Sequence, residues 1–361
     1  MPHRAGSAQN PTEDFLRQAL ALGGETAFHT TSRLESTQRD YRGGAQSRGL
    51  QLKISMAGVV ALTGATGFIG GALCQPLAQA GWRIRALVRR APDIALASRI
   101  EWVRGDLDDV AALRRLVANA DAVIHCAGAV RGRSLEDFDR VNVHGSERLL
   151  HTARAELRCT RFLFMSSLAA REPTLSWYAA SKHHAEEVLR QQSGALALTI
   201  FRPTAVYGPG DRELSPLFRF LRRGLLPVPG NQHARLTLLH VHDLVTAILR
   251  WLDSSPPAAG TFELHDGRAD GYSWQTIAAI AARVQGRPVR LLNLPRTGLT
   301  LAAAVNLRLA RWLRYQPMLT PGKLRELRHP DWICDNSALA AALGWRPRID
   351  FERAMREGLS G

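Results

Sequence analysis

A tyrosine and a lysine four residues apart are the side chains whose types and spacing most directly suggest chemistry. Tyr178 and Lys182 lie in a segment, 177–191, that we predict to be helical, so both side chains share one helix face, one turn apart. A free tyrosine has a pKa of about 10, and a neighbouring ammonium favours the phenolate and lowers that pKa. The pair therefore predicts proton exchange by Tyr178, assisted by Lys182.

Two serines end the predicted strand just before this helix. A hydroxyl of Ser166 or Ser167 at that point could hold a substrate oxygen. A Tyr-x-x-x-Lys pair alone is common on helix surfaces. The catalytic interpretation therefore depends on the serines and on a glycine loop earlier in the chain.

Three glycines spaced three residues apart follow the first predicted strand, 59–63, in the sequence Thr-Gly-Ala-Thr-Gly-Phe-Ile-Gly. Gly64 permits a tight turn, Gly67 lets the backbone approach a pyrophosphate, and Gly70 lets the next helix pack on the strand. The helix start offers free N–H groups and a positive dipole end to phosphates. Because a strand precedes the loop and a helix follows it, the motif predicts a dinucleotide site.

The end of the second predicted strand, 83–88, indicates which dinucleotide is preferred. An NAD site usually places an acid there for the ribose hydroxyls, whereas an arginine accommodates a 2′-phosphate. Arg89 and Arg90 stand at this point, and Asp93 comes later. The sequence therefore favours NADP, with NAD as the alternative if both arginines are merely exposed.

The elements that must position these residues are short apolar strands alternating with helices from Met56 onward. Such alternation predicts parallel βαβ units and a sheet covered on both faces. The fold class we predict is α/β, a Rossmann-type doubly wound parallel sheet with a smaller C-terminal substrate-binding lobe. The predicted strands of the sheet are 59–63, 83–88, 100–103, 122–126, 162–165 and 196–201.

The chain divides into three predicted parts. Residues 1–55, rich in Ser, Gln, Thr, Arg and Gly without a sustained period, are predicted to be a disordered N-terminal extension. Residues 56–205 are predicted to bind NAD(P), and 206–361 to form the substrate lobe, with 236–252 returning to the first domain. The apolar segment 299–313 predicts an amphipathic helix that serves as core, as a roof over the substrate or, less favoured, as a membrane-facing surface.

Composition bounds the partners and the compartment. The formal net charge is +15, but the arginines form no run, and zinc-ligand spacing and helix-turn-helix patterns are lacking, so we predict neither nucleic-acid binding nor a metal site. The four cysteines form no CxxC pair, and the first residues lack an apolar signal core. No apolar run reaches membrane-spanning length. These features predict a cytoplasmic protein, for which peripheral membrane contact and a homodimer stay open.

With the glycine loop and the Ser, Tyr and Lys residues in place, the sequence from about Met56 to the C-terminus resembles the extended short-chain dehydrogenase/reductase superfamily, also called the NAD-dependent epimerase/dehydratase family. The resemblance implies Ser167, Tyr178 and Lys182 as a catalytic triad, with Lys182 also binding the cofactor ribose and lowering the pKa of Tyr178. The residues that it assigns to cofactor binding are Gly64, Thr66, Gly67, Phe68, Ile69, Gly70, Arg89, Asp106, Leu107, Cys126, Ala127, Gly128, Lys182, Pro203 and Val206.

Further matches and two departures refine this resemblance. Asp106 matches the adenine-contacting Asp of the family, and Asn142 matches its helix Asn. The Asp-Glu pair of sugar dehydratases is replaced by Leu168-Ala169, which argues against dehydration. Where UDP-glucose 4-epimerases carry an Arg for the diphosphate, this sequence has Leu236.

The resemblance implies hydride transfer between a nicotinamide and a carbinol or carbonyl carbon of a small-molecule substrate, with Tyr178 as acid/base. We predict an NADP-linked dehydrogenase or reductase. A nucleotide-sugar epimerase with retained NAD is one alternative, and a non-catalytic cofactor-binding scaffold is the other. Arg89 argues against the epimerase, and the intact triad argues against the scaffold.

Overall fold

The computed structural model describes residues 58–90 and 100–358, and the extension predicted for residues 1–55 lies outside them. Short apolar segments form strands in this part of the chain, because β-branched and aromatic side chains pack well on a pleated, buried surface. The strands are β1 (Val59–Thr63), β2 (Arg83–Val88), β3 (Ile100–Arg104), β4 (Ala122–His125), β5 (Arg161–Met165), β6 (Ala197–Pro203), β7 (Ala205–Tyr207), β8 (Leu225–Val228), β9 (Arg235–Leu236), β10 (Leu238–His240), β11 (Gly260–Leu264), β12 (Tyr272–Ser273), β13 (Arg290–Asn293) and β14 (Asp331–Trp332).

Seven of the strands form one sheet in the order β11-β6-β5-β4-β1-β2-β3. Every neighbouring pair is parallel, which confirms the predicted Rossmann-type doubly wound α/β sheet. The strand order reverses between β1 and β4. In open α/β sheets, ligands bind beyond the carboxyl ends of the strands at such a switch point, so the loops after β1 and β4 are where a site is expected.

Helices cover both faces of the sheet. They are α1 (Phe68–Gln79), α2 (Val110–Val117), α3 (Leu135–Asp139), α4 (Gly145–Arg154), α5 (Trp177–Gln192), α6 (Ser215–Arg222), α7 (Val241–Asp253), α8 (Trp274–Gln285), α9 (Arg296–Leu313), α10 (Pro321–Arg328), α11 (Ser337–Leu343) and α12 (Phe351–Arg356). None of these helices, all within the described residues, combines the length and the apolar composition that a membrane span requires.

The sheet separates two hydrophobic clusters. Strand β1 is buried over its whole length, with Val60 and Leu62 in one cluster and Val59 and Ala61 in the other. Alternate residues of a strand point to opposite faces. A strand that is covered on both faces therefore needs an unbroken apolar run, which is what the sequence has at this point.

After β6 the chain leaves the sheet and then returns to it. Helix α7 packs against α1, and its Trp251 is fully buried in the same cluster as Leu73 of α1. Strand β11 then pairs with β6 at the edge of the sheet. A third cluster, which includes Phe218, Ile277 and Phe351, holds together elements that lie outside the sheet.

Several elements carry too little pattern in the sequence to be predicted. Strands β7 to β10 and β12 to β14 are two to four residues long, too short for alternation to show. The sequence pattern over residues 135–157 indicates one long helix, but the structure divides it, because the turn Arg140–His144 between α3 and α4 is a π-helix. Asn142 lies on this π turn and is fully buried.

Candidate active site

The glycine loop lies at the switch point, between β1 and α1. Gly64 has a φ of +76°, which favours glycine, and its carbonyl accepts a hydrogen bond from the Gly67 N–H at 2.9 Å. A Cβ on Gly70 would lie 2.2 Å from the Gly64 carbonyl oxygen, so only glycine allows this approach of helix to loop. Helix α1 begins without a side-chain cap, which leaves its first N–H groups available to phosphate oxygens. The loop therefore fits the pyrophosphate of a dinucleotide.

A chain of buried polar contacts ties this loop to β4. Thr63 Oγ1 lies 2.6 Å from His125 Nδ1 and accepts a hydrogen bond from the Ala127 N–H at 3.1 Å. His125 Nε2 lies 2.8 Å from Ser146 Oγ on α4. Burial, with a contribution from the Lys182 charge, lowers the pKa of His125 to about 3. The neutral imidazole therefore holds the two loops together.

Asn142, on the π turn, fixes the loop that follows β4. Its Oδ1 accepts a hydrogen bond from the Ala129 N–H at 2.7 Å, and its Nδ2 donates to the Ala129 carbonyl at 3.0 Å. The same Nδ2 donates to Ser181 Oγ of α5 at 2.9 Å. Cys126 and Ala127, both predicted cofactor contacts, are half-buried in this loop. Asn142 thus couples the loop after β4 to the helix that carries Tyr178.

The predicted catalytic residues Ser167 and Tyr178 meet where β5 ends and α5 begins. Tyr178 is half-buried in the first turn of α5, and the Ser167 hydroxyl hydrogen-bonds to its phenol. Burial raises the pKa of Tyr178, while the Ser167 hydrogen bond and the Lys323 ammonium act in the opposite direction. We expected Lys182 to lower this pKa. In the structure the largest cationic effect on the pKa of Tyr178 comes instead from Lys323.

Lys182 lies one turn further along α5 and is buried. Its Nζ donates a hydrogen bond to the Met165 carbonyl at 2.8 Å. Burial lowers the pKa of Lys182 to about 8, and the charges of Cys126 and Glu186 oppose this effect. A Cβ on Gly128 would lie 3.2 Å from Nζ, so the ammonium also borders the loop after β4.

Ser166, the other serine of the strand end, has a different partner. Its hydroxyl donates to the buried Glu186 carboxylate at 2.5 Å, and Arg202 and Arg190 each lie 2.6 Å from that carboxylate. Burial by itself would raise the pKa of Glu186, but the hydrogen bonds from Arg202 and Ser166 lower it overall. The cluster fixes α5 against β6, so Ser166 is engaged in structure and Ser167 faces Tyr178.

The residues predicted for the adenosine side lie at the ends of β2 and β3. Asp106 Oδ1 accepts hydrogen bonds from the Asp108 N–H at 2.9 Å and the Asp109 N–H at 3.2 Å, and Leu107 is buried in the turn that they form. Arg89 is exposed. Within residues 58–90 and 100–358, no acid forms an ion pair with its guanidinium.

The remaining predicted cofactor residues surround the switch point. Thr66 is exposed at the tip of the glycine loop, and Phe68 and Ile69 are half-buried in the first turn of α1. Pro203 is the buried last residue of β6, and Val206 of β7 packs partly against the main core. All five therefore lie on elements that begin or end at the same edge of the sheet.

A cavity of about 240 Å³ opens beside Tyr178. Its charged side chains include two ion pairs, Arg131 with Glu213 at 2.7 Å and Lys323 with Glu326 at 3.0 Å. Its apolar lining comes both from residues before α6 and from α9 and the residues that follow it. The apolar side chains are Val130, Phe138, Trp177, Leu307, Pro317, Met318 and Pro321.

Lys323 and Glu326 of α10 are site residues that reasoning from the sequence missed. Lys323 Nζ lies 6.0 Å from the centre of the Tyr178 ring. Glu326 is buried and accepts a hydrogen bond from Ser176, the residue that caps α5 and stands 150 residues earlier in the chain. Pro321 signals a helix start in the sequence, but nothing in the local pattern indicates that this helix lies over Tyr178.

The model of the family described as NAD-dependent epimerase/dehydratase matches residues 60–263, more than half of the chain. The chain belongs to the NAD-dependent epimerase/dehydratase family. This membership confirms the resemblance drawn from the glycine loop and the Ser, Tyr and Lys residues. It also accounts for the uncapped N-terminus of α1 and for the close backbone contacts of Gly64 and Gly70, since both features leave room for a dinucleotide at the switch point.

Two relatives match most of the chain. The ceramide reductase of Caulobacter vibrioides is 40% identical over 308 residues, which cover 82% of this chain and 95% of the relative. The 2-alkyl-3-oxoalkanoate reductase of Stenotrophomonas maltophilia is 27% identical over 326 residues, covering 82% of this chain and 97% of the relative. The chain is accordingly an NAD(P)-dependent oxidoreductase or epimerase.

Solved structures share the fold. The UDP-glucuronic acid 4-epimerase of Bacillus cereus, in complex with UDP-glucuronic acid and NAD, superimposes with a TM-score of 0.65 at 18% identity. The match covers 83% of this chain and 96% of that one. At this identity the likeness concerns the fold of the epimerase/dehydratase family and not the substrate.

Proposed function

We propose that the protein is an NADP-dependent reductase that reduces the oxo group of a lipid with two aliphatic tails. The observation that carries the proposal is the cavity in which Phe138, Leu307 and Met318 lie beside the Tyr178 phenol. The names of the two reductases that match 82% of the chain support it, since a ceramide and a 2-alkyl-3-oxoalkanoate both carry two aliphatic tails.

Tyr178 is the group that we assign as proton donor. Because burial raises its pKa, the phenol keeps its proton at neutral pH and suits donation to a carbonyl oxygen. When bound, the nicotinamide cofactor supplies the hydride that the carbonyl carbon takes up, so that C=O becomes CH–OH. Ser167 would hold the same oxygen, and Lys182 would bind the ribose hydroxyls and orient the cofactor.

The ion pairs of the cavity support an uncharged polar group on the substrate. Lys323 and Glu326 neutralise each other, as do Arg131 and Glu213. The two other arginines of the lining, Arg311 and Arg325, donate to backbone carbonyls of the protein. A Lys–Glu pair offers one donor and one acceptor at a fixed distance, which suits the carbonyl and N–H of an amide. Leu236, in the place where UDP-glucose 4-epimerases carry an Arg, also favours an uncharged head over a diphosphate.

Arg89 supports the choice of NADP over NAD. Its guanidinium is exposed at the end of β2 and has no acidic partner among the described residues, so it is available to a 2′-phosphate. NAD is the alternative cofactor. The division into a cofactor domain, 56–205, and a substrate lobe, 206–361, belongs to the same proposal, as does a cytoplasmic location. The four cysteines, none in a disulfide, fit a reducing compartment.

The test is a steady-state assay with purified full-length protein that follows NADPH oxidation. The substrates are an amide lipid with an oxo group on one tail, presented in detergent micelles, and UDP-glucose as the competing class, with Tyr178→Phe as the control. We expect NADPH to be consumed with the oxo lipid only, and not by the control. Interconversion of UDP-glucose by protein that releases NAD on denaturation would establish the epimerase instead, and cofactor binding without turnover on any carbonyl compound would establish the scaffold.

A further inference from the structure

The outward face of helix α9 is apolar where a solvated helix would be polar. Leu299, Ala303 and Ala310 are buried and point into the molecule. On the opposite side, Leu301 is 67% exposed and Trp312 is 79% exposed. Val305, 45% exposed, lies between them, and at 3.6 residues per turn these three side chains fall within roughly 40° of one another. The helix is therefore apolar on both faces, although one of them is open to solvent.

The stretch of sequence that contains this helix carries charge of a single sign. From Gly271 to Arg325 the chain contains no Asp or Glu and nine Arg or Lys residues. Arg308 is exposed on the same side of α9 as Leu301 and Trp312. Within residues 58–90 and 100–358, no acid forms an ion pair with Arg308, or with the arginines that follow it, Arg311 and Arg314.

An outward stripe of Leu, Val and Trp around an arginine that has no acidic partner, Arg308, is typical of a helix that lies in the interface of an anionic bilayer. The apolar side chains enter the boundary between headgroups and acyl chains, and Trp prefers the level of the headgroups. Each arginine near the surface adds attraction to anionic lipid. A second copy of the chain fits this face less well, because a two-fold contact would bring Arg308 close to the same arginine of the partner.

The same helix borders the candidate active site. Leu307 and Arg311, on the side of α9 that faces the molecule, line the cavity beside Tyr178, and Met318 in the segment after the helix lines it as well. Met318 is 37% exposed, so the apolar lining continues to the surface. One helix thus has an apolar outer face and an inner face on the cavity.

We propose that α9, from Leu301 to Leu313, docks the protein on an anionic lipid bilayer and brings the mouth of the cavity to the membrane surface. The lipid class of the substrate rests on the function proposed above, but the docking surface does not. A long-chain substrate would then reach Tyr178 along α9 without crossing water. No span is needed for this, since the helix lies in the plane of the interface.

The experiment is vesicle co-sedimentation of the full chain. Vesicles of phosphatidylcholine with phosphatidylglycerol are compared with vesicles of phosphatidylcholine alone. The variants are Leu301→Ser with Trp312→Ser, and Arg308→Glu. The matched controls are Leu157→Ser, at a leucine that is 98% exposed elsewhere, and Arg114→Glu, at an exposed arginine of α2.

We expect the wild type and both controls to bind anionic vesicles, and the α9 variants to bind about tenfold more weakly. Wild-type binding that the α9 variants retain, or absence of binding to anionic vesicles, would overturn the docking proposal. So would a change from dimer to monomer in the Leu301/Trp312 variant, measured by light scattering, because the face would then belong to a second copy.

Activity separates this proposal from the proposed function. With a water-soluble short-chain oxo ester, the Leu301/Trp312 variant should keep the wild-type kcat/KM. With the oxo lipid embedded in anionic vesicles, its rate should fall in proportion to lost binding. Vesicle binding that depends on α9, in a protein that reduces neither compound, would support the docking surface and reject the proposed substrate class.

Discussion

The Ser166 hydroxyl donates a hydrogen bond to the Glu186 carboxylate at 2.5 Å, whereas the hydroxyl of the next residue, Ser167, hydrogen-bonds to the phenol of Tyr178. Two adjacent serines therefore serve two clusters, one that holds α5 against β6 and one that faces the cavity. The two serines after β5 therefore have different roles.

The serine pair leads to the first prediction. Ser167→Ala should lower kcat by about tenfold or more, because one hydrogen bond to the reacting oxygen is removed, and should lower thermal stability only through the lost cap on the Ala169 N–H. Ser166→Ala should instead destabilise the protein by about 1–3 kcal/mol, because Glu186 is left short of a donor. Steady-state rates and melting curves of both variants check this, and the reverse pattern would mean that Ser166 is the serine in contact with substrate.

Tyr178→Phe removes the proton donor and little else. We expect kcat to fall by about 10²- to 10⁴-fold, with the dissociation constant of NADPH nearly unchanged. Lys182→Ala should both weaken NADPH binding and lower the rate, since we assign Lys182 to binding the ribose hydroxyls and to orienting the cofactor beside Tyr178. Fluorescence titration with NADPH and single-turnover rates distinguish the two variants. A Tyr178→Phe enzyme with near wild-type turnover would contradict the assignment.

Cofactor affinity should depend on pH through Lys182. Burial lowers the pKa of this ammonium to about 8, so it loses its proton as the pH rises through that value, earlier than a free lysine at about 10.4. Because the charged form is the one that donates to ribose hydroxyls, NADPH affinity should be constant below about pH 7 and fall above about pH 8. Titrations across this range test the prediction. In Lys182→Arg the fall should disappear, because a guanidinium stays charged.

Cofactor choice should depend on Arg89. A charge-assisted hydrogen bond to the 2′-phosphate contributes about 1.5–3 kcal/mol, which is roughly ten- to a hundredfold in affinity for NADPH over NADH. Arg89→Asp should erase or reverse this preference, while the matched variant Arg90→Asp, one residue further beyond the end of β2, should change it less. Titration of both cofactors against each variant measures it. Equal affinities in the wild type would favour a retained-NAD epimerase.

The charges over Tyr178 should set the pH range of the reaction. Glu326 raises the pKa of Tyr178 and Lys323 lowers it. Reduction needs the protonated phenol, so kcat/KM should fall as the pH rises through that pKa. Glu326→Gln should move this fall to lower pH, and Lys323→Met should move it to higher pH. Shifts of both profiles in the same direction would show that the pair acts on the substrate rather than on Tyr178.

The sequence was sufficient for the sheet and for the glycine loop, because both depend on local pattern. The run Val59–Thr63 is apolar throughout, and Gly64 and Gly70 stand where backbone contacts exclude a side chain. The short strands of the outer part were not predictable in this way. Strand β9, for example, has two residues, and its pairing with β12 and β14 is decided by tertiary contact.

The site was predictable on one side only. Tyr178 and Lys182 are neighbours in sequence, so their spacing carries information. Lys323 and Glu326 line the cavity beside Tyr178, but Glu326 stands 150 residues after Ser176, its hydrogen-bond partner at the N-terminus of α5. A contact between residues so far apart in the sequence leaves no local pattern from which it could be predicted. The π turn that buries Asn142 was not predictable either, since the five residues Arg140–His144 are too few to show a period of their own.

The late position of β11 in the chain has a consequence for biosynthesis. Until residue 264 has left the ribosome, β6 presents an open strand edge, and Trp251, whose Nε1 donates to Thr199 of β6, belongs to a helix that has only just been made. Unpaired edges and late long-range pairings slow folding and expose the nascent chain to wrong partners. A gene split between codons 203 and 260 therefore gives no self-sufficient N-terminal product, and its two fragments would have to be expressed together to assemble.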